Sequence, residues 1–480
     1  MGKNLLPSVV FNSLTSLVSQ IWTASEENAT IEGRANTIFV RETSGFTLIN
    51  SGSIIGNGSK AINLRSAQNA TITNNKGATI SGTSNTIVHQ AGGDDSGAEE
   101  ATGLTITNSG TIKAEGASSQ RAIYIYQSGG NLATDATITN SSTGNIYNTQ
   151  NYATISIDTS SSLTNSGRIE NRFSPTSKSI HVVGDNNTIT LKDGGIVIGL
   201  IDSDGSGNKL KFQHGVGQSY YYKTEGTFTL EDLDGNQVVK GSAGSVGQGA
   251  SETIDELLSY KSINLRNFAQ RYKNSDFKDK KEGWGETFAS YLNRDGNNQN
   301  LALEYDLYNL GANLMYSLEN SNFLISFDSG LQNLAKDHRI IYQNVTGGIY
   351  NSKNPNFLNL ETLLLSGVTL KNSERTILTN TTSSGTLNTK GNFITYEIYS
   401  DFKKNNNILP DIGFSGNFSI TPAYDENYYY KWENKKVGNL IFYLSDLYKI
   451  KESKLKDLSI NWGLDFRSLV GDKSQNYSIN

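Results

Sequence analysis

A short phrase recurs six times before residue 200, and it constrains the fold more than any other feature of the chain. It consists of an apolar strand end, Asn or Asp, a short turn with Gly, and an apolar strand start. The copies are Leu48–Ile55, Ile72–Ile80, Ile106–Ile112, Ile138–Ile146, Leu163–Ile169 and the degenerate Leu191–Ile198. Other alternating strands, such as Ala122–Tyr126, lie between copies. A period of about 20–35 residues with two or three short strands predicts a β-solenoid, whose coils stack because one coil cannot bury its own apolar face.

The repeated Asn and Gly have two expected uses. Asn tolerates the left-handed backbone region and Gly adopts it freely, so both residues suit a tight corner. Stacked corner asparagines can also hydrogen-bond to one another along a ladder. The alternative is a sandwich in which Asn-Gly pairs form hairpin turns. The solenoid is favoured because the same phrase returns with strands on both sides.

The composition changes near residue 250. Thr, Ser, Asn, Gly and Ile dominate before that point, and Tyr, Phe, Leu, Lys and Asn dominate after it. Between the two regions lies a Gly/Ser-rich stretch, 241–249, which reads as a flexible linker. We therefore expect an N-terminal segment over 1–30, a solenoid over 31–240, a linker and helix over 241–282, and a second domain over 283–480.

The overall composition excludes several classes of protein. The chain has no cysteine, which removes disulfide scaffolds, thiol nucleophiles and cysteine-bound zinc. A formal net charge of -5 argues against a nucleic-acid partner. No apolar run approaches the roughly 18 residues of a membrane-spanning helix.

The second half begins with a helix and continues as long strands. Apolar residues from Ile254 to Tyr272 recur at helical spacing and predict a helix over 251–273, with Ser251 as its N-cap. From Gly283 onward the period is two, as in Leu458–Phe466, and polar turns separate the segments. We predict nine strands, near 284–293, 302–317, 322–335, 341–351, 356–370, 392–403, 410–423, 437–450 and 456–469. Long, Tyr-rich alternating strands are typical of a transmembrane β-barrel, and the alternative is a soluble antiparallel sheet with one wet face.

The order of these parts resembles the autotransporters, the type V secretion proteins of Gram-negative bacteria. In the second half the resemblance is carried by Gly283–Tyr291, Tyr305–Ala312 and Phe323–Gly330, which look like the first strands of the family's barrel. It implies an all-β fold: a right-handed parallel β-helix as passenger, a helix threaded through the lumen, and an antiparallel transmembrane β-barrel. The implied partners are outer-membrane lipid and the barrel assembly machinery.

Both ends of the chain depart from the family pattern. The family's barrels have twelve strands and end on a strand with a terminal Phe or Trp, so about three strands and that signal are expected to be missing after Asn480. At the start, Met1–Asn4 precedes a broken apolar stretch that makes a poor secretory signal. We therefore expect the barrel to be incomplete at its C-terminus.

Few residues suggest chemistry. The four histidines, His89, His181, His214 and His338, show no ligand spacing, and no Ser/His/Asp order is convincing. Asp202–Asn208 copies the start of a calcium loop, but the twelfth position is Gln213 instead of Glu and no helices flank it, so a polar turn is the preferred interpretation. We therefore assign no catalytic, cofactor-binding or metal-binding residue and expect no enzyme activity.

The sequence-based hypothesis is a surface-displayed solenoid, an adhesin or scaffold, carried to the outer membrane by its own barrel. Its ligand is a surface or a glycan that the sequence does not identify. The alternatives are a solenoid enzyme that degrades polysaccharides and a porin-like channel with a polar extracellular domain. Some relatives release the passenger by self-cleavage at paired asparagines, but this helix has Asn264 and Asn267 without an Asn-Asn pair. The passenger is therefore expected to stay attached.

Overall fold

The structure of the chain is a computed structural model. It describes residues 9–11, 21–24, 29–34, 36–92, 100–116, 120–128, 130–236, 238, 243–245, 249–275, 282–294, 304–318, 321–334, 337–351, 360–404, 410–427, 429–449, 459–472 and 477–479. Most of the segment proposed as a degenerate signal, 1–30, and most of the Gly/Ser stretch therefore lie outside the described residues. The chain divides into two compact units, which are residues 1–246 with 377–387, and residues 247–376 with 388–480.

The first unit is built from three stacks of short parallel strands, numbered here in chain order. The first stack is β1 (Val9–Phe11), β4 (Ile38–Arg41), β7 (Ile62–Arg65), β10 (Ile87–Gln90), β14 (Ile123–Tyr126), β18 (Ile155–Ile157), β21 (Lys178–Val182), β24 (Leu200–Ser203) and β27 (Thr224–Gly226). The second is β2 (Ile21–Ala24), β5 (Thr47–Asn50), β8 (Thr71–Asn74), β12 (Thr105–Asn108), β16 (Thr137–Asn140), β19 (Ser162–Asn165), β22 (Thr188–Lys192), β25 (Lys209–Gln213) and β28 (Thr229–Asp232). The third is β3 (Thr30–Gly33), β6 (Ser53–Gly56), β9 (Thr79–Gly82), β13 (Thr111–Ala114), β17 (Asn145–Asn148), β20 (Arg168–Asn171) and β23 (Ile196–Ile198). A smaller pair, β11 (Ala101–Thr102) and β15 (Ala133–Thr134), lies outside these stacks.

Each copy of the repeated phrase occupies the same place in successive coils. Ile72 pairs in register with Ile106, and Ile106 pairs with Ile138. The apolar residues of the phrase are buried and form one continuous core along the stack. The predicted parallel β-solenoid is therefore confirmed, and the sandwich is excluded for this region because the strands of all three stacks pair in parallel.

The expected asparagine ladder is present. The Nδ2 atom of Asn50 donates to Oδ1 of Asn74, Asn74 donates in the same way to Asn108, Asn108 to Asn140 and Asn140 to Asn165, each at 2.8 Å. All five side chains are buried. The ladder satisfies polar groups inside the corner, because each amide also donates to a backbone carbonyl at that corner.

The expected role of the corner glycines was wrong at most copies. Gly77 has a φ of 84°, as predicted, but Gly52, Gly110 and Gly167 do not adopt positive φ. A Cβ at Gly110 would instead lie 2.3 Å from the carbonyl oxygen of Ala78 in the preceding coil. Glycine is needed there because neighbouring coils approach too closely for a side chain, which the sequence pattern alone does not reveal.

Part of the predicted linker is strand instead of flexible coil. β29 (Ala243–Ser245) pairs antiparallel with β26 (Tyr220–Tyr222), and Ala243 and Ser245 are buried. Residues 377–387 also belong to this first unit: Leu378 pairs with Tyr220, and Asn380 accepts a hydrogen bond from the Lys223 amide at 2.8 Å.

The second unit contains the predicted helix and the nine predicted strands. The helix, α1 (Gly249–Lys273), begins two residues before its expected start, so Ser251 lies inside the helix and is not its N-cap. The nine strands pair in the order β30 (Gly283–Arg294), β31 (Tyr305–Ser317), β32 (Asn322–Leu334), β33 (His338–Asn351), β34 (Leu360–Thr379), β35 (Thr386–Lys404), β36 (Asp411–Thr421), β39 (Lys435–Lys449) and β40 (Ser459–Gly471). Short strands β37 (Tyr424–Glu426), β38 (Tyr430–Trp432) and β41 (Tyr477–Ile479) pair beside them.

Strands β30, β31, β32, β33 and β34 pair antiparallel in that order, and so do β35, β36, β39 and β40. The second unit is therefore an antiparallel, barrel-like sheet, as predicted. Within the described part of the chain, no helix has both the length and the apolar character needed to cross a membrane.

Candidate functional site

The long strands of the second unit place their apolar side chains outward. Residues alternate along each strand between buried and exposed, and the exposed positions are largely apolar; Leu310, for example, is 66% exposed. The exposed large apolar residues include Leu314, Phe323, Ile325, Phe327, Ile341, Val345, Ile349, Leu364, Val368, Leu370, Ile394, Ile398, Phe402, Phe414, Phe418, Ile420, Leu440, Phe442, Leu464, Phe466 and Val470. A soluble sheet with one wet face has the opposite arrangement, because its exposed face is polar.

The inward-facing positions of the same strands are largely polar or charged. They include Asn309, Asn313, Ser326, Asp328, Asn344, Thr369, Lys371, Glu397, Asp401, Lys403, Ser415, Asn417 and Asn439, all of them buried. These groups form a dense network: the Nδ2 atom of Asn344 donates to Thr369 at 2.8 Å, and the hydroxyl of Thr369 donates to Glu397 at 2.8 Å. The interior of the second unit is therefore a polar environment.

One side of helix α1 packs against apolar residues that interrupt this polar interior. Leu258, Leu265, Phe268 and Tyr272 are buried in one cluster with Met315, Leu324, Tyr350, Leu363 and Leu365. The ring of Phe268 stacks on Trp284 with centroids 4.9 Å apart. These contacts come from β30 to β34, so one apolar face of the helix is matched to five neighbouring strands.

The basic residues of the helix meet acids on the strands. Lys261 is 5% exposed, and its Nζ lies 3.6 Å from Glu397, 3.9 Å from Asp328 and 3.2 Å from the hydroxyl of Thr369. Arg266 lies 3.4 Å from Asp465.

Other contacts extend this match along the helix. Ser259 accepts a 2.7 Å hydrogen bond from Asn439. Near its end the helix pairs Arg271 with Glu286 and Lys273 with Glu361. The helix is thus complementary in charge to strands β30, β32, β34, β35 and β40, and these contacts hold it in the polar interior.

The two asparagines considered for self-cleavage lie on this helix. Asn264 and Asn267 are partly buried and three residues apart in α1. Beyond the last turn, the side chain of Asn274 donates to the carbonyl of Gln270 at 2.9 Å, and Ser275 donates to that of Tyr272 at 2.7 Å. Both side chains therefore donate hydrogen bonds to backbone carbonyls of the last helical turn and cap the helix there.

Three of the four histidines, His89, His214 and His338, are buried in the protein interior. His89 is buried and bonds through Nε2 to the carbonyl of Ala67 at 2.9 Å; burial lowers the pKa of its imidazole. His214 is buried among aromatic rings, and burial lowers its pKa to about 4. His338 is buried beside the hydroxyl of Ser373 at 2.8 Å.

The fourth histidine is close to the residues of the calcium-like sequence. His181 on β21 lies next to Asp202 on β24 and Asp204 just after it. Spacing along the chain could not reveal this arrangement, since it depends on how coils align. The repeat did contain a relevant signal, because aligning its coils pairs His181 with Asp202 on the neighbouring strand.

An aromatic and cationic cluster lies on the surface of the first unit. Tyr124 and Tyr126 stack with ring centroids 4.2 Å apart, and the guanidinium of Arg121 lies 4.1 Å from the centre of the Tyr124 ring. The same guanidinium lies 5.7 Å from the ring of Tyr152, which is 47% exposed. Among the described residues no carboxylate pairs with Arg121, so a cation and aromatic faces are available together at this surface.

No protein-family model, curated protein or solved structure matches this chain. The functional conclusion therefore depends on the sequence and the geometry alone.

Proposed function

We propose that this chain is an autotransporter-type protein of the outer membrane. The long strands of the second unit span the bilayer, helix α1 occupies their interior, and the solenoid is displayed at the cell surface as an adhesin or scaffold. One observation carries the proposal: in the second unit the apolar side chains face outward while the charged and amide side chains face inward around the helix.

The outward apolar residues support the membrane assignment. Soluble monomers rarely expose contiguous apolar patches of more than a few hundred Å². Here large apolar residues are exposed on every one of the long strands from β31 to β36 and on β39 and β40. Bilayer hydrocarbon is the solvent in which such a surface is stable, because strands in outer-membrane barrels alternate apolar-out and polar-in.

The buried ionic contacts of α1 favour an anchoring helix over an open channel. Lys261 and Arg266 each lie within 4 Å of a strand carboxylate. Removing the helix from the interior would leave Glu397 and Asp328 buried without the Lys261 ammonium, and breaking a buried pair costs about 3–5 kcal/mol. The helix is therefore a stable occupant and tethers the residues that precede it.

The solenoid has a surface suited to adhesion. Tyr side chains provide large, rigid contact area at low entropic cost, and Arg provides paired donors for carboxylates. The Arg121, Tyr124 and Tyr152 cluster offers both on one surface. A glycan carrying acidic sugars is the ligand class that this chemistry favours, with the solenoid as its adhesin.

Fractionation of cells that produce the chain tests this assignment. With antibodies against each half, the 283–471 region should sediment with outer membranes and resist alkaline carbonate extraction. Proteinase K added to intact cells should remove the 31–240 epitopes and leave the other region protected. Recovery of the whole chain in the soluble fraction, without detergent, would contradict the proposal.

A matched pair of variants separates a membrane barrel from a soluble sheet. Val345 is outward-facing in the middle of β33, and Thr376 is outward-facing towards the end of β34. An arginine costs about 2–4 kcal/mol at the bilayer midplane and about 0–1 kcal/mol near the interface. Val345→Arg should therefore reduce membrane integration much more than Thr376→Arg, whereas a soluble sheet would tolerate both.

A further inference from the structure

Two neighbouring coils of the solenoid bring one imidazole and two carboxylates together. Residue His181 of β21 is in register with Asp202 of β24, and Asp204 follows that strand directly. The Nε2 atom of His181 lies 3.3 Å from Oδ2 of Asp202 and 2.9 Å from Oδ2 of Asp204. One ligand atom from each of the three residues lies within 4.8 Å of the others.

These separations match the edges of a tetrahedral zinc site. Zn²⁺ binds His nitrogen and carboxylate oxygen at about 2.0–2.2 Å, so two ligand atoms of a tetrahedron lie about 3.4 Å apart. The two edges measured from His181 fall close to that value. Only a small movement of the exposed Asp204 side chain, 60% accessible, would be needed to close the third edge.

The buried carboxylate of Asp202 provides a second observation. Asp202 is 5% exposed, and its Oδ2 atom receives no hydrogen bond of acceptable geometry, although the Nζ atom of Lys178 lies 2.5 Å away. Buried polar atoms in proteins are normally satisfied. The oxygen is held by an ion pair with Lys178 and lies 3.3 Å from the His181 nitrogen, so a metal ion that binds it must displace the Lys178 ammonium.

The same geometry argues against the calcium loop suggested by the sequence. Ser206, at the fifth position of that pattern, donates to Asp185 at 3.0 Å through its hydroxyl. The backbone carbonyl of Asn208, at the seventh position, accepts a hydrogen bond from the Thr229 amide at 2.8 Å. Two of the expected oxygen ligands are therefore engaged elsewhere, and the third partner of the two aspartates is a nitrogen, which suits zinc better than calcium.

We propose that His181, Asp202 and Asp204 form a binding site for a divalent transition metal of the zinc class. The ligands come from two adjacent coils, so the bound ion joins one coil to the next. With three protein ligands, a fourth position is open at the exposed side, as in zinc sites that keep a water molecule. Lys178 competes with the ion for the Asp202 oxygen.

The test is a zinc titration of the full-length chain in detergent, without a histidine tag and after chelator treatment, against a competing chromophoric chelator. We expect one zinc equivalent that His181→Ala and Asp204→Asn each weaken by more than about tenfold. Lys178→Met should tighten binding, because the competing ammonium is removed. The matched control is Asp193→Asn, an exposed solenoid aspartate that should leave the affinity unchanged.

Three results would overturn the site. These are unchanged zinc affinity in His181→Ala and Asp204→Asn, weaker binding in Lys178→Met, or a clear preference for Ca²⁺ over Zn²⁺ in the unmodified chain. Replacement by Co²⁺ gives an independent readout, since a tetrahedral site should show intense visible absorption that is lost in His181→Ala. The measurement in detergent does not depend on where the chain resides in a cell, so it tests the metal site separately from the membrane assignment.

Discussion

Asn108 donates a 2.8 Å hydrogen bond from Nδ2 to Oδ1 of Asn140, a partner 32 residues further along the chain. The same Asn108 accepts a 2.8 Å bond from Asn74, so one buried amide joins three successive coils. The asparagine repeated in each coil therefore forms a continuous column of side-chain hydrogen bonds along the solenoid.

Replacing Asn108 by alanine should destabilise the solenoid by about 2–3 kcal/mol. The variant removes the bonds to Asn74 and Asn140 and leaves the buried Oδ1 of Asn140 without that donor; each buried unsatisfied group costs about 1–3 kcal/mol. Urea unfolding followed by far-ultraviolet circular dichroism measures the change. The control is Asn57→Ala, because Asn57 is exposed and its side chain donates to Glu32 on the surface. Equal effects of the two variants would argue against the ladder as a stabilising element.

Two glycines in corresponding turns of neighbouring coils, Gly77 and Gly110, should respond differently to alanine, because the strand register aligns Gly110 with Ala78 and not with Gly77. Gly77 has positive φ and open space around its Cβ position, so Gly77→Ala should cost about 1–2 kcal/mol from backbone strain alone. In Gly110→Ala the new methyl group would meet the carbonyl of Ala78, which forces two coils apart and should cost about 3 kcal/mol or more.

The comparison of the two glycine variants uses the same unfolding assay. Because both substitutions replace Gly by Ala, their effects on the entropy of the unfolded chain are matched. A larger loss in Gly77→Ala than in Gly110→Ala would mean that corner conformation, and not coil spacing, requires glycine in this repeat.

Burial of His214 should make the solenoid less stable in acid. The Nδ1 atom accepts from the amide of Gly194 at 3.3 Å, so the proton resides on Nε2, beside the hydroxyl of Tyr222 at 3.1 Å. Protonation would place a second N–H against the Gly194 amide, inside an aromatic cluster. This local geometry agrees with a pKa held down at about 4 by burial.

The sign of this effect follows from the two protonation states. The histidine of the unfolded chain has a pKa near 6.5, so between about pH 6.5 and 4 it binds a proton that the folded chain excludes. The stabilisation that comes from keeping His214 neutral is therefore complete above about pH 6.5 and is lost as the pH falls towards 4. The expected loss from His214 is about 3 kcal/mol across that interval. His214→Phe should flatten the dependence of unfolding free energy on pH in this window. An unchanged pH slope in that variant would rule out His214 as the group responsible.

Those strands and helices that depend on a sequence pattern within a short window could be predicted. The period-two strands from Gly283 onward, the helix ending at Lys273 and the repeat around Asn50 all follow from patterns within a short window. The sequence did not determine which face of these strands is buried. A soluble sheet and a membrane barrel show the same alternation of apolar and polar residues, although they bury opposite faces. The structure fixes the direction, because Asp328 and Asn344 are buried while Leu310 and Val345 on the same set of strands are exposed.

The sequence pointed to two of the three residues of the candidate metal site. Asp202 and Asp204 attracted notice as part of a calcium-like pattern, but His181 lies 21 residues before Asp202 and becomes its neighbour only through coil register. The strand at 243–245 was missed for a related reason: its Gly and Ser residues have low strand propensity, and pairing with Tyr220–Tyr222 overrides that preference.

Removing the charge of Lys261 should loosen the helix from the strands. Lys261→Met leaves Glu397 and Asp328 buried without the ammonium that lies within 4 Å of both, and such a change costs about 3–5 kcal/mol. The matched control is Lys390→Met, which breaks an exposed pair with Glu374 and should cost at most about 1 kcal/mol. Heat-dependent mobility in detergent gel electrophoresis and protease access to α1 report the difference.

A second substitution tests whether the buried charge is the cause. In Lys261→Met with Glu397→Gln, one of the two stranded carboxylates is neutralised, so part of the lost stability should return even though a further hydrogen-bonding group has changed. Glu397→Gln alone should be destabilising, since Glu397 also accepts from Thr369 at 2.8 Å and from Tyr399 at 2.7 Å. If the double variant is as unstable as the sum of the two single variants, the Lys261 ammonium acts through packing, and the ionic contact does not hold the helix in place.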